Sequence, residues 1–234
     1  MEEPERIVSF ITAYFASQVD FKGKKVVVTA GPTYEKIDPV RFIGNYSSGK
    51  MGLAIAEELA GRGAEVVLVC GPVNLKTHHP AIRRVDVESA AQMYEVTSRE
   101  FANSDVAVLS AAVADFTPKE KADHKIKRGK DDLVLELLPT KDIAAELGKM
   151  KNASQLLVGF ALETNDEEVN ALSKMQRKNL DMIVLNSLND KGAGFGVDTN
   201  KVTIMDKAGN RTVYELKTKL EVAKDIVDQI ASRL

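Results

Sequence analysis

The sequence predicts an α/β domain: a mostly parallel sheet with helices on both faces, plus a small antiparallel hairpin excursion. Three observations carry this. Short runs that are apolar throughout, beginning with Val26-Val27-Val28, alternate with helix-length stretches. Such runs suit strands buried on both faces, as in parallel sheets. Gly31-Pro32 and Gly71-Pro72 stop the first two runs abruptly, as strand-ending punctuation does. Two segments, 124–138 and 201–215, instead alternate apolar and polar residues around a central turn, the pattern of half-exposed antiparallel strands.

In chain order, residues 1–20 hold an amphipathic N-terminal helix, with Ile7, Phe10, Ile11, Tyr14 and Phe15 on one stripe from Pro4 to Gln18. Val26 to Ala30 is the first strand. Gly49 to Arg62 is a helix, which Gly63 ends, and Val66 to Val69 is the second strand. Ala90 to Phe101 is helical and Val106 to Ser110 extended. Thr140 to Met150 is a helix with Thr140 as N-cap, followed by a strand from Leu156 to Phe160. Asp166 to Asn179 is a helix and Met182 to Leu185 a strand. The last helix shows Leu220, Ala223, Val227 and Ile230 on one face. The strand–helix alternation is that of βαβ units. No repeat or linker divides the chain, so residues 1–234 read as one domain. The hairpins at 124–138, turning at Gly129-Lys130-Asp131, and at 201–215, turning at Ala208-Gly209-Asn210, read as a lid or a dimer contact.

Composition narrows the function classes. The 234 residues are 44% hydrophobic and 28% charged, with a net charge of −2. A chain of this length can bury a sizeable core without staples, and no overall basic field calls for nucleic acid. The single cysteine, Cys70, excludes an internal disulfide framework and reads as a small buried hydrophobe. That cysteine usage makes the cytoplasm the expected compartment. No apolar run approaches the roughly 20 residues a membrane-spanning helix needs. His78-His79 has no carboxylate cluster beside it and reads as loop, so no protein-borne metal site is expected.

Several segments are candidate sites. Gly44 to Met51 nearly fits the phosphate loop G-x-x-x-x-G-K-[ST], but Met51 stands where a magnesium-binding hydroxyl belongs and the segment does not follow a strand directly. Ser47, Ser48 and Gly49 open a helix, whose free N–H groups suit an anion; a plain serine cap is the other reading. Gly49 and Gly52 permit close backbone approach. Ser110-Ala111-Ala112-Val113-Ala114-Asp115 follows a central strand, where open α/β sheets place ligands. Small residues there leave room for a ligand and Asp115 can accept its hydrogen bonds, unless the alanines serve packing alone. Lys125 and Lys127 share a strand face, and Lys174 and Lys178 share a helix face; such pairs suit a polyphosphate if folding makes them converge. A nicotinamide cofactor is disfavoured, because no G-x-G-x-x-G follows the first strand and the second ends in Cys70-Gly71 without an acid for a ribose.

Taken in order, these segments resemble phosphopantothenate–cysteine ligase, also called phosphopantothenoylcysteine synthetase, of the bacterial type. The resemblance runs from about Lys24 to the C-terminus. It rests on Thr29-Ala30-Gly31-Pro32-Thr33, on Asp38 to Gly52 (D-P-V-R-F-I-G-N-Y-S-S-G-K-M-G), on Ala111 to Asp115, and on Lys125-Ile126-Lys127. Val158 to Asn165 (V-G-F-A-L-E-T-N) and Arg177-Lys178-Asn179-Leu180-Asp181 complete it.

The resemblance implies a Rossmann-like fold and a ligase of coenzyme A biosynthesis. It would join 4'-phosphopantothenate to cysteine through an acyl-nucleotide, with CTP as the expected nucleotide, Mg²⁺ on its phosphates, and a homodimer as the assembly. By position it makes Asn45 and Lys125 catalytic. It puts Ala111, Asp115, Lys125, Lys141, Asp142, Ile143, Phe160, Lys174 and Lys178 at the nucleotide, and Arg41, Asn45, Ser47, Gly49, Gly52 and Ala112 at the substrate. The family's companion is a flavin-dependent phosphopantothenoylcysteine decarboxylase, often fused. These residues hold no such half and no flavin is expected here; a separate enzyme and an excised domain are both consistent with that. A nucleotide-binding Rossmann-like protein without catalysis is the alternative, disfavoured by the presence of Lys125, Lys174 and Lys178.

Overall fold

A computed structural model describes residues 3–4, 6–8, 19–129, 132–163, 165–187, 192, 194 and 196–234. The amphipathic helix expected in residues 1–20 falls mostly outside them, as do Lys130 and Asp131 of the first expected turn.

Six parallel strands form the body of the sheet: β1 (Lys25–Ala30), β4 (Glu65–Cys70), β5 (Ile82–Asp86), β6 (Val106–Leu109), β9 (Leu156–Glu163) and β10 (Met182–Ser187). Two antiparallel strands, β12 (Val202–Asp206) and β13 (Arg211–Val213), extend it, giving the order β13-β12-β10-β9-β6-β1-β4-β5. Reading only the parallel strands, the chain runs outward from β1 to β4 and β5, then returns to lay β6, β9 and β10 on β1's other side. That is the doubly wound order of the Rossmann fold, with its switch point between β1 and β6.

Alternation along each strand sorts the core into two layers. Val26, Val28, Val66, Leu68, Val106, Val108, Val158 and Val184 face α1 (Lys50–Gly61) and α5 (Lys219–Ala231). Val27, Val69, Ala107, Leu157 and Ile183 face α2 (Ala90–Phe101), α3 (Ile143–Met150) and α4 (Glu167–Arg177). Each fully buried Leu, Ile or Val contributes about 1.5–3 kcal/mol. Ser89 and Gln92 form a capping box on α2, and Thr218 and Glu221 one on α5.

Four expectations change. The segment 201–215 is not an excursion: β12 and β13 belong to the main sheet, because Val202 and Ile204 face one core layer while Met205 faces the other. The segment 124–138 does not form its own hairpin. Among the described residues only Leu137–Pro139 (β8) is strand, antiparallel to β7 (Phe116–Pro118). Its alternating apolar residues find no core, and Leu133 and Val134 stay exposed. Asp142, not Thr140, caps α3 by accepting from the Ala145 N–H at 3.1 Å. On α5 the buried stripe is Val222, Ala223, Ile226, Val227 and Ile230, while Leu220 is exposed. Strand β5, unread in the sequence, is an edge strand whose Arg83 and Arg84 pair with Glu100 and Asp86. Small antiparallel ladders do occur: β7 with β8, β2 (Tyr34–Lys36) with β3 (Phe42–Gly44), and β11 (Thr199–Asn200) with β14 (Lys217–Thr218).

Candidate functional site

Beyond the carboxyl ends of β1, β6, β9 and β10 lies a cleft of about 670 Å³, where open α/β sheets place their ligands. Its floor is built by threonines. The Thr29 hydroxyl accepts from the Ala111 N–H at 3.2 Å, and the Thr33 hydroxyl from the Ala114 N–H at 2.9 Å. From the other side the Thr140 hydroxyl donates to the Ala114 carbonyl at 2.6 Å. The strand-end segment from Ser110 to Asp115 is thereby fixed with no bulky side chain in the way. Asp115 projects its carboxylate from this segment as an exposed residue.

The loop carrying Asn45 closes over this segment. The Asn45 amide nitrogen donates to the carbonyls of Ala112 and Val113, both at 3.1 Å. Beyond it Gly49, at φ 77°, caps α1 with no side-chain hydrogen bond to the helix's first N–H groups. A serine cap is thus ruled out; Ser47 instead accepts from the Gly49 N–H at 3.4 Å. Gly52 lies against the end of β1, where an added Cβ would stand 2.6 Å from the Ala30 methyl.

On the opposite bank, Lys141, Asp142 and Ile143 open α3 and meet Phe160 of β9 and Lys174 and Lys178 of α4. The two lysines do converge, and both are engaged. Lys174 donates to the Phe160 carbonyl at 2.9 Å, and Lys178 pairs with Asp142 at 2.7 Å. Burial would raise the Asp142 pKa, but Lys178, the Ala145 N–H and Lys174 outweigh it and hold the carboxyl below its ordinary value. Lys141 lies over the Tyr94 ring, 4.1 Å from its centroid.

The residues assigned to nucleotide and substrate all line this cleft except Arg41 and Lys125, and Lys127, the partner of Lys125 in the expected pair, also lies outside it. Arg41 joins two segments outside it, donating to buried Asp38 at 3.0 Å and to the Ile126 carbonyl at 2.9 Å. Asp38 also accepts from the N–H groups of Val40, Arg41 and Ile126. Burial works against its charge, yet these donors hold its pKa below the ordinary carboxylate value. Lys125 is exposed, beside that anchored Ile126. Conversely, Thr29, Lys50, Asn186, Asn200 and Lys219 line the cleft without having been assigned a role from the sequence. Thr29 lay in the T-A-G-P-T run and Lys50 in the phosphate-loop-like run Gly44 to Met51; nothing local pointed to the other three.

Cys70 is free and buried away from this cleft, its thiol pKa raised by burial. Among the described residues no group of three His, Cys, Asp or Glu could hold a metal ion, and no helix is long and apolar enough to cross a membrane.

Residues 21–234 match the family described as the DNA/pantothenate metabolism flavoprotein C-terminal domain. The chain belongs to that family. A crystal structure of the C-terminal domain of Coenzyme A biosynthesis bifunctional protein CoaBC superposes with TM-score 0.78 at 44% identity, over 92% of this chain and 97% of that one. The whole bifunctional protein CoaBC of Bacillus subtilis is 47% identical over 99% of this chain. A protein named cysteine/cysteine sulfinic acid decarboxylase, of an unknown prokaryotic organism, is 57% identical over 98% of this chain. The chain spans 57% and 65% of the lengths of these last two proteins. The family's large, mostly parallel sheet with flanking helices is the architecture found here.

Proposed function

We propose that this chain is the phosphopantothenate–cysteine ligase of coenzyme A biosynthesis, acting through an acyl-nucleotide with CTP as the activating nucleotide. One observation carries the reading. Asn45, the Ala111–Asp115 segment and the Phe160, Lys174 and Lys178 group come from distant parts of the chain and line a single cleft, and no described Cys or His lines it. Such a site holds and neutralises charged reactants instead of attacking them, as phosphoryl-type transfer requires. The similarity to the CoaBC C-terminal domain supports the same reading. The decarboxylase name belongs to a protein of which 35% lies outside the match (100% less the 65% covered).

In the first step the phosphopantothenate carboxylate oxygen bonds to the α-phosphorus, and the bond to the β-phosphate oxygen breaks, releasing pyrophosphate. In the second the cysteine nitrogen bonds to the acyl carbon. The acyl–oxygen bond breaks, CMP leaves, and the nitrogen loses its proton. Asn45 would grip the intermediate between the steps, with Ser47, Gly49, Gly52 and Ala112 receiving the pantothenate end and Arg41, from outside the cleft, anchoring the segment at Ile126. Lys125 would swing in against the phosphates during the first. Asp115, the cleft carboxylate without a lysine partner among the described residues, suits an Mg²⁺ held mainly by phosphate oxygens. When bound, that ion would neutralise charge building on the leaving phosphates.

The assembly we propose is a homodimer, supported by exposed Phe42, Tyr46, Phe116, Leu133 and Val134 on the β3 and β7–β8 arms. A companion flavin-dependent decarboxylase is also proposed, in keeping with bifunctional relatives. The deciding experiment measures pyrophosphate from the purified chain with CTP or ATP, with and without phosphopantothenate. Release that needs both reactants and favours CTP is expected. No release with either nucleotide would overturn the proposal.

A further inference from the structure

The bank of the cleft formed by α1 and α5 holds a buried cation that the reading above leaves unused. Lys219 is the first residue of α5 and only 7% exposed, yet it lines the cleft. Three features of its placement disfavour a charge. It sits at the positive end of a helix dipole, it is desolvated, and Lys50 lies near enough to oppose its ionisation. Among the described residues no carboxylate reaches it within ion-pair distance. Asp198, the nearest counter-charge, is taken by Lys50 at 2.6 Å.

The ammonium donates to the carbonyls of Val197 at 2.6 Å and Gly194 at 3.1 Å. A lysine has three donors, and the described residues engage two of them. Holding two carbonyls needs only a neutral amide; keeping a desolvated charge here calls for an anion. The neighbours say which kind. Lys50 stands on the same bank, and the uncapped start of α1 at Gly49 adjoins it. Two ammonium groups side by side match an anion with several charged oxygens better than a lone carboxylate. On the opposite bank Lys174 and Lys178 are already bonded to Phe160 and Asp142, and Lys141 lies over the Tyr94 ring.

We propose that Lys219 and Lys50 form a phosphate-binding pair on the α1–α5 bank, with Lys219 supplying the fixed charge and Lys50 exchanging Asp198 for the ligand. The proposal rests on the ligase reading, under which phosphate arrives from two sources: the terminal phosphates of the nucleotide, which depart as pyrophosphate, and the phosphate of phosphopantothenate. The phosphopantothenate source is expected, since Ser47, Gly49 and Gly52 on this bank are proposed to receive the pantothenate end while the nucleotide residues Asp142, Phe160, Lys174 and Lys178 line the opposite bank.

Calorimetry would measure binding of pyrophosphate and, separately, of phosphopantothenate to wild type, Lys219→Gln, Lys219→Arg and Lys50→Gln. Glutamine keeps donors for the two carbonyls and removes the charge. Losing one charge-assisted hydrogen bond should weaken the affected ligand roughly 10-fold or more, with arginine retaining more affinity than glutamine. Weakened pyrophosphate with unchanged phosphopantothenate assigns the pair to the nucleotide's phosphates; the reverse assigns it to the pantothenate end. Unchanged affinity for both in a stably folded Lys219→Gln would make Lys219 a loop staple and overturn the proposal. Should Lys219→Gln unfold, Lys50→Gln decides on the same terms, because Lys50 is partly exposed. Wild type that binds pyrophosphate yet never forms it would sink the ligase reading and leave the binding pair standing.

Discussion

Asn45→Asp probes the junction between the two half-reactions. The amide of Asn45 donates two 3.1 Å hydrogen bonds, to Ala112 and Val113. A neutral bond of this kind contributes about 1 kcal/mol net, so losing both costs about 2 kcal/mol in how firmly the loop seats on the strand-end segment. That corresponds to roughly a 30-fold fall in the seated population. Aspartate does worse than alanine, because it turns a charged acceptor toward two carbonyl oxygens and toward the intermediate's phosphate. The global fold should hold, since Asn45 is exposed. The assay mixes CTP, phosphopantothenate and cysteine with each variant and follows pyrophosphate and amide separately. Wild type should give equal amounts. Asn45→Asp should form amide at least roughly 30-fold more slowly, with pyrophosphate exceeding it as the intermediate escapes and hydrolyses. Equal yields at wild-type rates would show that Asn45 only shapes the loop. Equal loss of both products would place it in the first step.

Three further outcomes are expected. Lys125→Gln should cut pyrophosphate release ~10²-fold or more by removing a charge aimed at the phosphates, while its melting temperature stays unchanged because the residue is exposed; release at the normal rate would remove Lys125 from the first step. Gly52→Ala forces a methyl to within 2.6 Å of Ala30, so α1 must move off β1 at about 1–3 kcal/mol, and scanning calorimetry should show a fall of roughly 5 °C; an unchanged melting point would refute the close approach. Asp206 is held at a pKa of about 2, burial being outweighed by its bonds from Asn210 and Arg233. A lowered folded-state pKa means stability that is complete above the unfolded value near 4 and lost as pH falls toward 2. After solvent screening this amounts to about 1–2 kcal/mol, so urea midpoints should fall further between pH 5 and pH 2.5 in wild type than in Asp206→Asn, and parallel curves would contradict it.

The fold was legible where the information was local. Val26 to Ala30, apolar except at Thr29, read as a strand covered on both faces, and Ala90 to Phe101 read as a helix, although its Ser89–Gln92 capping box went unread. The alternation of such segments implied the layered sheet. The motifs around Asn45 and Lys178 were likewise visible as suited to anions, and the one ending in Asp115 as room for a ligand with an acceptor beside it. Their convergence was not. The Asn45 bond to Ala112 spans 67 positions, and the Thr33 bond to Ala114 spans 81; no local period encodes contacts that depend on strand order. Strand order also decided the fate of 201–215, since alternation looks alike on an exposed hairpin and at a sheet's antiparallel edge. Lys219 shows the limit most plainly. In the sequence it is one more charge at a helix start, and only the packing of α5 beside α1 turns it into a buried cation facing the cleft.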